Sequence, residues 1–370
     1  MRSKIIPLVI VAAFALEARA AIELSDGIKL VPTATAGVQF NDNLFLSSAN
    51  EQSETLWVLS PGVILTSGEG AANSTRFTAS EQFQLYSDNS NLNTNLALLD
   101  LVSQYDDGKM KIDVNARYHQ ANQATRDLRG SSLVKRDLIH AEVVDEVEWS
   151  DKSSVQVGVA YDDTNYKPAG YRDTQWFEVP VKYYYKYQPK LDFSAGIRYR
   201  SNKVDAANLD SNEIFYSVGA RGEITPKLIG EVSVGYVTFE PDAGKSKSSV
   251  GLDANLSLAL TPKASLNFGA SNRYGYGAIG DSYRITTVSG GFSADLTNAL
   301  KLSGSLGYNQ YAYNTSNRQD DFWSGQIGAN YDITRNLSVN GTYSYANNDS
   351  DLPAASFKNG ILALSATFQF

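Results

Sequence analysis

A four-residue turn recurs along this chain at a nearly constant interval, and that interval restricts the fold more than any other feature. QPKL occupies 188–191, TPKL 225–228, TPKA 261–264, TNAL 297–300 and TRNL 334–337, so successive starts lie 36 or 37 residues apart. Apolar and polar residues alternate on either side of these turns. Leu337, Val339, Gly341, Tyr343 and Tyr345 oppose Ser338, Asn340, Thr342 and Ser344. Likewise Leu191, Phe193, Ala195, Ile197 and Tyr199 oppose Asp192, Ser194, Gly196, Arg198 and Arg200. In ASLNFGASNRYG the apolar side is Leu266, Phe268, Ala270 and Tyr274, interrupted by Asn272. A helix would scatter the polar residues around its whole surface, whereas a period of two gathers them on one face of a strand.

The alternation predicts strands at 31–40, 55–66, 75–86, 94–105, 109–120, 136–149, 153–162, 172–185, 190–201, 211–224, 228–239, 248–260, 264–274, 282–296, 300–311, 321–333, 337–346 and 357–370, eighteen in all. In 94–105 the run LALLDLV is continuous enough that a helix would also suit it. The connections are of two kinds and alternate. Short ones fall at 106–108, 150–152, 186–189, 225–227, 261–263, 297–299 and 334–336. Longer ones rich in Asp, Asn, Ser and Gly fall at 121–135, 163–171, 202–210, 240–247, 275–281, 312–320 and 347–356. Regular alternation of short and long turns is the pattern of an integral outer-membrane, antiparallel up-and-down β-barrel, with short periplasmic turns and longer extracellular loops. An even strand number places both termini in the periplasm. The repeated turn is then one periplasmic hairpin, and its period is a rising strand, a loop and a falling strand.

Composition agrees with this reading. No charge run or Pro/Ser/Gly-rich linker divides the 370 residues. Residues 1–20 read as a secretory signal, with Arg2 and Lys4 before an apolar run from Ile5 to Leu16 and an A-x-A site at Ala18 to Ala20. The expected mature domain is therefore 21–370. The chain has no cysteine, so neither disulfides nor thiolate metal sites are available. Beyond the signal no run of 18 apolar residues occurs, but a barrel needs only every second residue to be apolar. The net charge of −8 and the lack of a basic patch disfavour nucleic acid as a partner.

Tyr118, Tyr161, Tyr199, Tyr236, Tyr274 and Tyr345 fall near the outer ends of rising strands. Five of them lie eight residues above Met110, Leu191, Leu228, Leu266 and Leu337, which suits an aromatic girdle above an apolar band roughly 25 Å tall. The final segment ILALSATFQF alternates up to Phe370, and its terminal aromatic is similar to the last-strand signal read by outer-membrane insertion machinery. Lipid and lipopolysaccharide of the outer membrane are the expected surroundings.

The opening hairpin AGVQFNDNLFLSSANEQSETLWVLSPGVIL (36–65), with its step Asp42-Asn43-Leu44-Phe45 and the following Leu59 to Gly62, resembles the putative β-barrel porin 2 family. Members are similar to outer-membrane components of exopolysaccharide secretion systems. The resemblance therefore implies a polysaccharide-exit pore, a polysaccharide or sugar ligand, and periplasmic export components as partners. No helical-repeat segment precedes the barrel, so periplasmic guidance of a polymer would fall to a separate protein.

Eighteen strands enclose an aqueous lumen unless loops or a plug fill it. No segment is long enough for a folded plug. With outer loops of at most about 15 residues, deep constriction by one loop is not expected, though partial infolding is compatible with these lengths. The less apolar strand face carries Lys111, Asp113, Arg117, Glu142, Glu146, Glu148, Glu178, Lys182, Arg198, Arg200, Glu213, Arg221, Glu223, Glu231, Asp253 and Arg273. A charge near the lipid midplane would cost about 2–4 kcal/mol, which assigns this face to the lumen. These side chains either contact a moving solute weakly or form ladder pairs that tolerate water. Together they define a path of mixed sign. Asp145 and Glu81 fall on the apolar face, so either a bulge shifts the register or they sit near an interface.

Catalysis has little support. His119 and His140 flank 121–135 on the lumen side with Glu142 nearby, but no G-x-S-x-G elbow exists and no serine stands out as nucleophile. NNDSD (347–351), QDD (319–321) and YDD (161–163) lack a full Ca²⁺ loop and read as solvated acidic loops. No cofactor is expected, and nothing here would bind nucleotide. Three functions remain: passive polysaccharide export, diffusion of small solutes or oligosaccharides, and a non-conducting barrel with surface-binding loops.

Overall fold

The computed structural model describes residues 22–25, 27–68, 70–128 and 132–370. The secretory signal expected at 1–20 lies outside the described residues. The strands are β1 (Ile22–Ser25), β2 (Ile28–Asn41), β3 (Glu54–Ser67), β4 (Asn73–Tyr86), β5 (Thr94–Asp106), β6 (Met110–Gln123), β7 (Val134–Ser150), β8 (Ser153–Tyr166), β9 (Thr174–Gln188), β10 (Leu191–Val204), β11 (Ser211–Thr225), β12 (Leu228–Pro241), β13 (Lys247–Thr261), β14 (Ala264–Tyr276), β15 (Ser282–Asp295), β16 (Leu300–Tyr313), β17 (Gln319–Asp332), β18 (Leu337–Ser350) and β19 (Phe357–Gln369). From β2 onward each strand pairs antiparallel with the next. β19 returns to β2, from Ile361↔Asn41 to Gln369↔Thr33, and closes an 18-stranded meander. β1 is a short extra strand folded back on β2 through Glu23↔Lys29. The ambiguous run 94–105 is strand β5, because β4 and β6 hydrogen-bond to its two edges.

The recurring turns owe their first residue to hydrogen bonding. Thr297 Oγ1 accepts from the amides of Ala299 (3.1 Å) and Leu300 (2.9 Å), and Thr334 Oγ1 from Asn336 (3.2 Å) and Leu337 (3.1 Å). Thr225 Oγ1 caps Leu228, and Thr261 Oγ1 caps Lys263. A threonine hydroxyl satisfies amides that the reversal removes from the ladder.

Cross-strand pairing fixes which residues share a face. One face carries ion pairs that skip strands: Glu146 on β7 with Arg221 on β11, Lys182 on β9 with Glu231 on β12, and Arg198 on β10 with Asp253 on β13. Four strand steps along a flat wall would measure about 19 Å at ~4.8 Å each, so side chains can bridge them only across a concave surface. That face is the lumen. The opposite face presents Phe83, Val143, Val157, Phe193, Val234, Leu306, Ile327 and Leu362, all more than 36% exposed, as a lipid-facing surface should.

Over β10–β13 the lumen face of the wall is built from small residues. Ser194, Gly196, Ser217, Gly219, Ser233, Gly235 and Gly251 follow one another across β10–β13. A Cβ at Gly235 would collide with the carbonyl of Tyr216, and one at Gly219 with that of Val232. Side chains there would prevent the strands from closing inward.

Tyr199, Tyr236 and Tyr345 stand on the outward face at 40%, 52% and 41% exposure, and Tyr118 and Tyr161 share that face. Tyr274 does not belong to the girdle. It is 5% exposed and stacks on lumen-facing Phe239 with ring centroids 4.3 Å apart. The cause is local: the β13–β14 ladder stops at Asp253↔Ser271, and above it β14 leans into the barrel. Asn272 spans the gap, donating to Val250 O (2.6 Å) and accepting from the Leu252 amide (3.0 Å). Glu81 and Asp145 do face outward, with no bulge beside either. Glu81 lies as far above Asn73 as Tyr118 lies above Met110, at girdle height, and bonds Asn95. Asp145 opposes Ile112 near the inner end.

Candidate functional site

The lumen is divided into two unlike halves. From β5 to β14 its face holds every charge expected there: Lys111, Asp113, Arg117, Glu142, Glu146, Glu178, Arg198, Arg200, Glu213, Arg221, Glu231, Asp253 and Arg273, with Glu148, Lys182 and Glu223. Most bond one another. Arg221 joins Glu146 (2.5 Å) to Asp192 (3.0 Å) and lies over the Tyr184 ring at 3.4 Å. Arg200 bonds Glu178 at 2.5 Å and covers Trp176 at 4.5 Å. Arg198 reaches Asp253 (3.2 Å), Glu178 (3.6 Å) and Glu213 (3.8 Å), while Arg273 shares Asp253 at 3.1 Å. Arg117 and His119 share Asp100, and Lys111 pairs with Asp106 at 3.4 Å.

Over β9–β12 this half is filled, whereas Lys111, Arg117 and Glu142 on β6 and β7 remain exposed. Glu213 is 1% exposed, and Arg200, Glu178, Tyr184, Phe215, Val237 and Phe239 are also buried. Buried ion pairs of this kind offset their own desolvation only when both partners are present. His119 and His140 do not sit opposite each other: the register pairs His119 with Leu138 and His140 with Arg117. Each imidazole instead meets a carboxylate, Asp100 at 2.9 Å and Asp162 at 2.8 Å. Among the described residues no group of three or more His, Asp or Glu is arranged to hold a metal ion.

The other half, from β15 through β19 to β4, is almost uncharged between its rims. Its lumen face runs through Thr287, Ser289, Ser305, Asn309, Ser324, Gln326, Asn340, Thr342, Ser344, Ser365, Thr35 and Gln39. Ser289, Ser305 and Gln326 are exposed. One hollow of about 350 Å³ lies along this wall beside Ser324, Gln326 and Ser344, and another of about 410 Å³ lies where the two halves join, between Asp253 and Arg273 on one side and Thr287, Ser289 and Ser305 on the other. Ser305 lines both. Hydroxyls and amides offer donors and acceptors without a fixed charge.

Four outer loops fold over the mouth. The loop 42–53 tucks Leu44 and Phe45 against Leu56 and Tyr86 on the lumen face, and Leu133 of the β6–β7 loop joins them. Leu128 of that same loop packs with Ala278 of the β14–β15 loop and with Tyr166 and Tyr171. The Arg172 amide donates to Ala278 O at 2.8 Å. Arg126 then crosses to the far wall. Its guanidinium donates to Tyr313 Oη (2.5 Å) and Asp320 Oδ2 (2.9 Å) and lies over the Tyr311 ring at 3.6 Å. Burial works against its charge, yet Asp127 at 2.6 Å holds its pKa above the ordinary arginine value. Arg126 also lines the hollow beneath it, so the bridge narrows the uncharged half. Among the described residues no single loop closes the mouth; four short ones meet over it.

The Asp42-Asn43 step anchors one of these loops on the barrel seam. Above the last β19–β2 pair, Asp42 Oδ1 accepts from the Gly360 amide (2.6 Å) and Asn43 Nδ2 donates to Lys358 O (2.8 Å). Asn359 Nδ2 donates to Asn43 O at 3.2 Å. The two side chains continue the ladder past the end of strand pairing. Neither Arg126 nor the uncharged wall attracts notice in the sequence: one is a lone loop arginine, and the other is the ordinary polar side of amphipathic strands.

A closed meander with an apolar exterior, a polar interior and long loops at one end is a porin-type barrel of the outer membrane. The chain belongs to the family described as Putative beta-barrel porin 2, which it matches over residues 29–370. That is a family of pores rather than enzymes. No curated protein matches it. Among solved structures it is similar to OpdQ of Pseudomonas aeruginosa, at 12% identity and a TM-score of 0.48, covering 93% of this chain and 98% of that one. It is also similar to OpdK of the same organism, solved with vanillate (8%, 0.49, covering 92% and 99%). A BenF-like porin from Pseudomonas fluorescens Pf-5 gives 9% and 0.49, covering 92% and 99%.

Proposed function

We propose that this barrel is a passive outer-membrane pore for uncharged, hydrated solutes of carbohydrate type, which pass along the β15–β4 wall. The observation that carries this reading is the run of hydroxyl and amide side chains on the lumen face of β15 to β4, with Ser289, Ser305 and Gln326 exposed along it. Such a wall exchanges hydrogen bonds with a polyhydroxylated solute at little net cost, because each bond replaces one to water. The charged half is occupied by its own ion pairs; its role in this scheme is to shape the wall and not to bind solute. Swelling of liposomes that carry the reconstituted protein tests the proposal: neutral mono- to trisaccharides should enter faster than sugar phosphates of similar size. Equal exclusion of both would end it.

Export of a polymer is a second reading, favoured by the continuity of the uncharged wall. Its polar positions run from Ser338 and Thr367 near the inner turns to Asn348 near the mouth without a single charged stop. A chain could slide past such a wall, with energy supplied by its synthesis. Deleting the gene separates the two readings. Loss of surface polysaccharide with accumulation inside, restored by complementation, supports export; unchanged polysaccharide leaves solute diffusion.

A further inference from the structure

Glycines interrupt the outward face over β14–β18 at regular positions. Gly290 stands between Phe268 and Leu306, Gly304 between Phe292 and Ile327, and Gly325 between Leu306 and Tyr345. Three adjacent strands thus lack a side chain where their neighbours carry large ones. The result is an apolar hollow of about 510 Å³ on the lipid side of the wall. It rises obliquely from Leu266, close to the TPKA turn, to Tyr345 at girdle height. Its length is therefore that of the apolar band.

We propose that this groove is a binding site for one acyl chain of an outer-membrane lipid. Its place decides the chemistry, because only hydrocarbon meets the wall at that depth. Its relief decides the shape of the occupant. The Phe292 ring lies over Gly304 and Leu306 leans over Gly325, so the floor is open at Gly290, while Leu306 (72% exposed) and Ile327 (55%) jut from the wall beside it. A flat face of a second barrel would rest on those ridges and leave the floor empty, whereas a flexible chain can thread between them. Dispersion contacts along such a groove are lost if it stays unfilled.

The site can be filled by design. A Cβ at Gly290 would find only Asn267 O and Phe268 Cδ1, each at 4.0 Å, so Gly290→Leu places a side chain in the groove without moving the backbone. Native mass spectrometry of the full chain from mild detergent, with added palmitoyl-oleoyl phosphatidylglycerol as the probe, reads lipid occupancy. Gly290→Leu should lower apparent affinity about tenfold, equivalent to ~1.4 kcal/mol. Ala141→Leu, outward on β7, should leave it unchanged. Lipid retained equally by both variants would overturn the proposal, as would a dimer that Gly290→Leu dissociates. A second measurement needs no variant: a phosphatidylglycerol with a diazirine on its acyl chain should crosslink mainly to Phe268, Phe292 and Leu306. Crosslinks spread evenly around the barrel would refute the site.

Discussion

Arg126→Ala should loosen the bridge across the mouth and raise the conductance of the pore. The substitution removes the hydrogen bonds to Tyr313 and to the Asp320 carboxylate, the ion pair with Asp127 on its own loop, and the stacking over Tyr311. A charge-assisted hydrogen bond contributes about 1.5–3 kcal/mol and a desolvated cation–π contact about 2. Asp320 is not left alone, because Arg318 (2.5 Å) and Ser350 still bond it, so only part of the usual cost of orphaning a buried charge applies. A net loss of roughly 3 kcal/mol in docking free energy shifts the docked-to-undocked ratio by about a hundredfold. Single-channel recording in planar bilayers should then show a larger main conductance and fewer long closures than in the unmodified protein. Arg126→Lys should fall between the two, since an ammonium keeps the charge on Asp320 without the planar stacking. Conductance and closed times identical across all three proteins would refute the bridge as a constriction.

Other consequences follow from the same contacts. Asn43→Ala removes a buried side chain that bonds Lys358 O, Ser47 O and the Ser47 amide at the seam, and should cost about 1–3 kcal/mol, read as a lower midpoint of unfolding in detergent. Gly235→Ala forces a Cβ onto the Tyr216 carbonyl, so folded barrel should fall sharply on heat-modifiability gels, whereas Gly290→Ala should fold normally. Ser305→Asp puts a charge in the uncharged half and should make the pore cation-selective by reversal potential, while Glu148→Gln, in a half-exposed pair with Lys186, should change selectivity little. A cysteine at Asn208 should react with an impermeant thiol reagent on intact cells, and one at Lys263 should not; the reverse would invert the topology.

Much of the fold is legible in the sequence because its determinants are local. Two-residue alternation sets the faces, and a turn of four residues sets the register of each hairpin. Closure adds no new information once the parity is known. Curvature is different. It depends on which small residues become neighbours, and Gly219, Gly235 and Gly251 gain meaning only when β11, β12 and β13 are laid side by side. Parity alone also misplaces Tyr274, since alternation continues along β14 after its ladder to β13 has ended. The mouth is the least legible part. Arg126 and Asp320 are 194 residues apart, and no local pattern marks either as the other's partner. The charged residues are easy to assign to the lumen by parity, but that they fill its β9–β12 side and leave the other half uncharged emerges only from pairing across several strands.

The most direct test of the account compares the two halves of the lumen by cysteine accessibility. The chain has no cysteine of its own, so single substitutions at Ser305, exposed on the uncharged wall, and Ser233, 3% exposed on the filled side, give a clean pair. With either protein in a planar bilayer, a charged methanethiosulfonate reagent is added while current is recorded. The account predicts a stepwise fall in conductance for Ser305→Cys and none for Ser233→Cys. Modification that reduces current through Ser233→Cys while leaving Ser305→Cys untouched would place the conducting path in the charged half and contradict it.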